Sequence, residues 1–138
     1  ASIAVATAII SALKNIPVRQ DVAMTGSLSV RGEVLPIGGV SYKVEAAIEA
    51  GVKTIIVPKA NQQDIVIDQH KLASITIIPV TTINEVLDHA LDWNGHARLK
   101  EFILNGHETI GGKTKNRPKK GAGYEIIYPV IYIKWRKP

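Results

Sequence analysis

The chain has 138 residues, the size of one ordinary domain. At 46% hydrophobic and 21% charged it belongs with globular rather than disordered chains, and the absence of cysteine excludes a disulfide scaffold, a thiol nucleophile and any cysteine-based metal centre. The net charge of +5 is unevenly placed: residues 1–92 carry seven basic and nine acidic residues and residues 93–138 ten basic and three acidic, so the basic character gives no argument for nucleic-acid binding by the whole chain.

In chain order, Ser2 to Lys14 reads as a helix, stopped by Asn15 and Pro17. Its stretch Ser2 to Leu13 is the longest apolar run, shorter than the roughly 18 residues of a membrane span and without a basic leader. A helix apolar on nearly every side is expected to be buried on every side. Val22 to Met24 reads as a strand. Leu28 and Val30 lead into Arg31-Gly32-Glu33, and Val34 and Leu35 lead out, as in a hairpin turning near Gly32. After Pro36, Gly38 and Gly39, a helix is expected from Val40 to Ala50 with Gly51 as its stop. Lys53 to Val57 is a β-branched strand ended by Pro58, and Ser74 to Ile78 is a second, ended by Pro79. Residues 61–72 between them read as a loop holding a helical turn. Thr82 and Glu85 form a capping box ahead of a helix with the apolar stripe Ile83, Val86, Leu87, Ala90 and Leu91. Residues 1–92 thus alternate helices with short strands, an α/β pattern without internal repeats.

A boundary is expected near residue 93, where composition changes. Arg98 to Leu104 is a candidate further helix. Gly111 to Gly123 is glycine-rich and basic and reads as a solvated loop. Tyr124 to Trp135 favours a strand.

One residue is out of place. At about 100° per residue, Lys43 falls among Val40, Ala46, Ala47 and Ala50, opposite Glu45 and Glu49. Either its stem runs past the alanines to water, or its amine is held in an apolar site. Burial favours the neutral amine, and a neutral lysine can serve as a general base for a nucleophile. Thr25-Gly26-Ser27 offers a hydroxyl at a strand end, although turn chemistry alone accounts for those residue types.

The chain resembles the proteolytic domain of the Lon proteases. The resemblance rests on Met24-Thr25-Gly26, Arg31-Gly32, Val34-Leu35-Pro36-Ile37-Gly38-Gly39, Lys43 in an alanine-rich helix, and Gly51-Val52-Lys53-Thr54-Ile55-Ile56-Val57-Pro58-Lys59. It covers residues 1–92 at fixed spacing, and Ala1-Ser2-Ile3-Ala4-Val5 looks most like the archaeal, membrane-anchored branch. The resemblance implies an α/β fold also seen in a ribosomal protein domain, here incomplete at its N-terminus. It implies an ATP-dependent serine peptidase with a Ser–Lys dyad that degrades unfolded or damaged proteins. Lys43 would be the dyad base and Thr25 the hydroxyl that orients it. It further implies a homo-hexameric ring, ATP and magnesium in a separate ATPase module, and a place in the cytoplasm or on the cytoplasmic face of a membrane. The family's nucleophile motif is Asp-Gly-(Pro or Asp)-Ser followed by Ala-(Gly or Ser)-Ile, so the matching serine would lie immediately before Ala1. Ser2 matches the position two residues further on, about 200° round a helix, and is not expected to replace it. The chain by itself is therefore expected to be inactive, to lack the ATPase module and the membrane anchor, and to associate through the apolar surface of its first helix.

An alternative reading is a catalytically silent Lon-like module serving oligomerisation or nucleic-acid binding, as in a bacterial DNA-repair ATPase family. Nucleic acid would then be met by the basic segment, where Tyr124, Tyr128, Tyr132 and Trp135 lie near cations. That segment otherwise reads either as a lineage-specific extension that binds an acidic partner or as read-through or vector-derived sequence without an evolved role. His70, His89, His96 and His107 show no metal-binding spacing. Gly111-Gly112-Lys113-Thr114 resembles the end of a phosphate loop, but its spacing from Gly106 does not place both glycines in register, and no strand is expected before it.

Overall fold

Ile55, Ile56 and Val57 run without a polar interruption, which suits a strand covered on both faces. The computed structural model describes residues 1–105, together with the backbone of four short strand segments beyond them. In it, β1 (Val22–Met24), β4 (Thr54–Pro58) and β5 (Thr76–Val80) form a parallel sheet in the order β1-β4-β5. Ala23 lies opposite Ile55, and Ile55 opposite Ile77. A two-stranded antiparallel pair, β2 (Ser27–Leu28) and β3 (Val34–Leu35), stands beside it.

Successive side chains on β4 point to opposite faces. Ile55 and Val57 meet Val40, Val44 and Ala47 of α2 (Val40–Glu49), the crossover into β4. Ile56 faces a larger core built with Ile3 and Ile10 of α1 (Ile3–Lys14), with Ile83, Val86 and Leu87 of α4 (Ile83–Ala90), and with Ile103 of α5 (Ala97–Asn105). A 3-10 helix at Lys59–Asp64 and the short α3 (Gln69–Leu72) carry the chain from β4 to β5. This is the α/β architecture expected, and the stripe Ile83, Val86, Leu87, Ala90 and Leu91 is buried throughout.

Three local expectations change. Pro79 does not end its strand but lies inside β5, opposite Val57. β5 is an edge, where a missing N–H costs no ladder bond. Glu85 reaches past the Thr82 cap: its Oε1 accepts from the Thr81 hydroxyl at 2.6 Å and the Thr81 N–H at 3.3 Å. The first helix is not buried all round. Ile3, Thr7 and Ile10 are buried, while Val5, Ile9 and Leu13 are 56%, 53% and 72% exposed. Only one side of α1 faces the sheet and α4, and an apolar sequence on the other side does not create a neighbour for it. Such a stripe favours association. Sedimentation velocity on the 138-residue chain is expected to show self-association that rises with concentration, and the double change Ile9→Lys with Leu13→Lys to reduce it.

Packing does not end where composition changes at residue 93. Ile103 is 1% exposed in the larger core, with Trp93, Leu99 and Phe102 packed against it. Lys100 Nζ lies 3.0 Å from Asp88, and the Asn84 amide donates to the Leu104 carbonyl at 3.1 Å. Beyond Asn105, β6 (Thr109–Ile110) pairs antiparallel with β7 (Lys113–Thr114). β8 (Tyr124–Ile126) pairs likewise with β9 (Tyr132–Lys134), two strands where one was expected. The rest of the glycine-rich segment, with Gly106, Gly111, Gly112, His107, Tyr128 and Trp135, lies outside the described residues. No helix among the described residues is long and apolar enough to cross a membrane.

Candidate active site

Thr25 follows the last residue of β1, and its N–H donates to the Ile56 carbonyl at 3.0 Å, continuing the parallel ladder. The chain then turns at Gly26. Gly26 is buried with φ +152°, and a Cβ placed there would stand 3.0 Å from Val34 Cγ1 and 3.3 Å from both Ile3 Cδ1 and Pro58 Cγ. Only glycine fits that crowding and that backbone conformation. The start of α1 is attached to this turn. The Ile3 N–H donates to the Gly26 carbonyl at 3.1 Å, the Leu28 N–H to the Ala1 carbonyl at 2.6 Å, and Ser2 bridges to Ser27.

The result is a cleft of about 300 Å³ lined by Ser2, Met24, Thr25, Gly26, Ser27, Ile37 and Lys43. It opens at the carboxyl end of a parallel strand, the usual place for ligands in open α/β sheets. Ser2 brings the positive end of α1 to its wall. The Ser2 hydroxyl accepts from the N–H groups of Ala4 at 3.1 Å and Val5 at 3.2 Å, so it serves as the helix cap. Lys43 is the one charged residue among those lining the cleft.

The position of Lys43 differs from the wheel reading. The buried face of α2 is centred on Val40, Val44 and Ala47, about 65° round the helix from Lys43. Ala46 and Ala50 are exposed, as is Lys43. The alanines beside the lysine are small enough to leave it open to solvent, and small side chains on a helix do not by themselves mean burial. The described residues bring Lys43 and Thr25 to one cleft without a hydrogen bond between their side chains. Such bonds commonly tighten only when a substrate is bound.

A side chain that the sequence reading passed over holds the opposite wall. Asn61, 2% exposed, accepts from the Ile37 N–H at 2.8 Å and donates to the Ile37 carbonyl at 2.9 Å. Its signal was weak, one polar residue after a strand-ending Pro58-Lys59 in a segment read as loop. Of the four histidines, His70 lies on α3, His89 on α4 and His96 just before α5. Among the described residues no three His, Asp or Glu gather as a metal site.

Residues 1–93 match the family of the Lon protease (S16) C-terminal proteolytic domain. The chain belongs to this family. It is 61% identical over 110 residues to the archaeal Lon protease of Pyrococcus abyssi, covering 80% of the chain and 11% of that protein. It is 67% identical over 91 residues to that of Thermococcus kodakarensis, covering 66% and 14%. It is 63% identical over 113 residues to that of Halobacterium salinarum, covering 82% and 16%. The chain thus spans less than a fifth of the length of these Lon proteases. The wider matches run past residue 93 into the segment that begins with α5.

Proposed function

We propose that this chain is part of the proteolytic domain of an ATP-dependent, Lon-type serine peptidase and supplies the base of a Ser–Lys dyad. The observation that carries the reading is the cleft at the end of β1, where Lys43, Thr25 and the N-terminus of α1 meet. Lys43 Nζ accepts the proton of a serine hydroxyl as that oxygen attacks the substrate carbonyl. It then returns the proton to the leaving amine. Thr25 holds the amine in line by accepting one of its N–H bonds. The nucleophilic serine is the residue immediately before Ala1. The Ala1 carbonyl is bonded to Leu28, so that residue would enter beside β2, next to the cleft. Lys43 is open to solvent on the side the described residues leave free, and the nucleophile and substrate would close over it.

The substrates are unfolded or damaged proteins, and the working assembly is a ring of six copies. ATP and magnesium act in a separate ATPase module. The peptidase step assigned to Lys43 passes through neither of them. The intact protein works in the cytoplasm or on the cytoplasmic face of a membrane, through an anchor outside these residues. Taken without its serine, the chain is inactive.

The test is to read the coding sequence upstream of Ala1 and assay the intact polypeptide. Serine at that position, preceded by Asp-Gly-(Pro or Asp), with ATP-stimulated hydrolysis of an unfolded protein, is the expected result. Another residue there would end the peptidase reading and favour a silent module. In that event nucleic-acid binding by the chain, lost on deleting residues 106–138, becomes the property to measure.

A further inference from the structure

Among the described residues Asn61 is one of two buried polar side chains, the other being Thr7, whose hydroxyl only returns to its own helix at the Ile3 carbonyl. Asn61 instead joins separate parts of the chain. Its carboxamide takes both backbone groups of Ile37, as a neighbouring strand would, and its second N–H donates to Asp64 Oδ2 at 3.1 Å. Asp64 continues the connection. Its carbonyl accepts from the Ser41 hydroxyl at 3.2 Å, and the same hydroxyl accepts from the Val66 N–H at 3.0 Å. The two ends of this network bracket the approach to Lys43. Ile37 lines the cleft, Ser41 lies in the first turn of α2, and Lys43 follows two residues later with its N–H on the Gly39 carbonyl at 3.3 Å.

Between Ile37 and the buried Val40 the chain has no side chain of its own to hold it. Gly38 and Gly39 have no side chains to pack, and nothing lies within 4 Å of where their Cβ atoms would stand. Gly39 caps α2 without a side-chain hydrogen bond. The packing of Val40, Val44 and Ala47 on β4 seats the helix body, but two consecutive glycines and a missing side-chain cap leave its entry to be fixed by other segments. Asn61 and Asp64 supply that constraint from the 3-10 helix, Asp64 through the Ser41 hydroxyl, and the 3-10 helix follows directly on the central strand β4.

We propose that Asn61 is a positioning residue for Lys43: through Ile37, Asp64 and Ser41 it sets where α2 begins and thereby where the lysine amine meets the cleft. The proposal rests on the reading of Lys43 as the dyad base. Ile37 is only half-buried between the exposed Pro36 and Gly38, where water could meet its backbone groups, so a buried side chain that takes both of them fixes a position as well as satisfying polar atoms.

The test uses Asn61→Asp and Asn61→Ala in the intact protein, with Ser41→Ala as a milder variant at a half-buried position. Asn61→Asp keeps the acceptor for the Ile37 N–H but loses both donors and sets a carboxylate against Asp64. A displacement of the lysine of the order of 1 Å costs about 100-fold in turnover. The expected result is kcat reduced by about 10- to 100-fold for the Asn61 variants, with KM within about twofold. Ser41→Ala shows a smaller loss in kcat of the same kind, and the pH profile of kcat changes for all three. Amide exchange on the 138-residue chain is expected to quicken over residues 37–43 while β4 and β5 keep their protection. Variants that lose thermal stability but keep kcat and its pH profile make Asn61 a structural residue and overturn the proposal. Unchanged exchange over residues 37–43 overturns it as well. If the unaltered intact protein shows no peptide hydrolysis, the dyad reading itself fails, and the positioning role falls with it.

Discussion

Replacing Lys43 with methionine in the intact protein is expected to lower kcat for peptide hydrolysis by about 10³- to 10⁴-fold while leaving KM within about threefold. Methionine matches the lysine stem in length and apolar character but has no amine to take a proton. Lys43 is exposed and outside the buried face of α2, so its replacement disturbs no core contact. The effect therefore belongs to chemistry rather than to folding. Initial rates on a fluorogenic peptide, with ring assembly followed by size-exclusion chromatography, separate the two. A variant that assembles and still turns over at more than about a tenth of the normal rate removes Lys43 from the dyad. Thr25→Val tests the orienting hydroxyl in the same assay. It preserves shape and loses the acceptor, so a smaller loss, about 10- to 100-fold in kcat, is expected.

The second large effect is structural. Gly26→Ala is expected to destabilise the 138-residue chain by about 2–4 kcal/mol, from an unfavourable backbone conformation and from a Cβ forced against packed neighbours. The neighbours are Val34, Ile3 and Pro58, contributed by a hairpin strand, a helix and the central strand, so none gives way without moving its element. In urea the unfolding midpoint should fall by about 1–2 M. Gly38→Ala is the control. It has ordinary backbone geometry and open space around the new Cβ, and is expected to change stability by less than about 1 kcal/mol in either direction. Equal effects at the two glycines would contradict the crowding at Gly26. Because the Gly26 carbonyl receives the Ile3 N–H, the Gly26 variant should also disturb the start of α1 and the cleft beside it.

Much of the fold was legible before any coordinates. The stop signals at Asn15 and Gly51 and the start signal at Thr82 mark element ends because each acts locally: Asn15 adopts a left-handed conformation, Gly51 has positive φ, and the Thr82 hydroxyl accepts the Glu85 N–H. The stripe of α4 was readable because its polar and apolar residues are segregated around the helix. Where that contrast fails, so does the reading. α1 is apolar nearly all round, and its sequence does not say that Ile3, Thr7 and Ile10 form the covered side. On α2 the alanines carried the wheel toward Lys43, although burial centres on the larger Val44 beside it.

The sequence by itself determined the alternation of helices and strands and the residue types of the site, because turn chemistry and hydrophobic period act between near neighbours in the chain. It also determined membership of the Lon proteolytic-domain family. Only the tertiary structure decided that Thr25 and Lys43, eighteen residues apart, open onto one cleft with Ser2. It likewise decided that Asn61 is buried against Ile37, that α5 completes the larger core and that half of α1 is bare. The reason is the same in each case. Burial and proximity depend on which distant segment packs against a residue, and no local pattern around that residue encodes its partner.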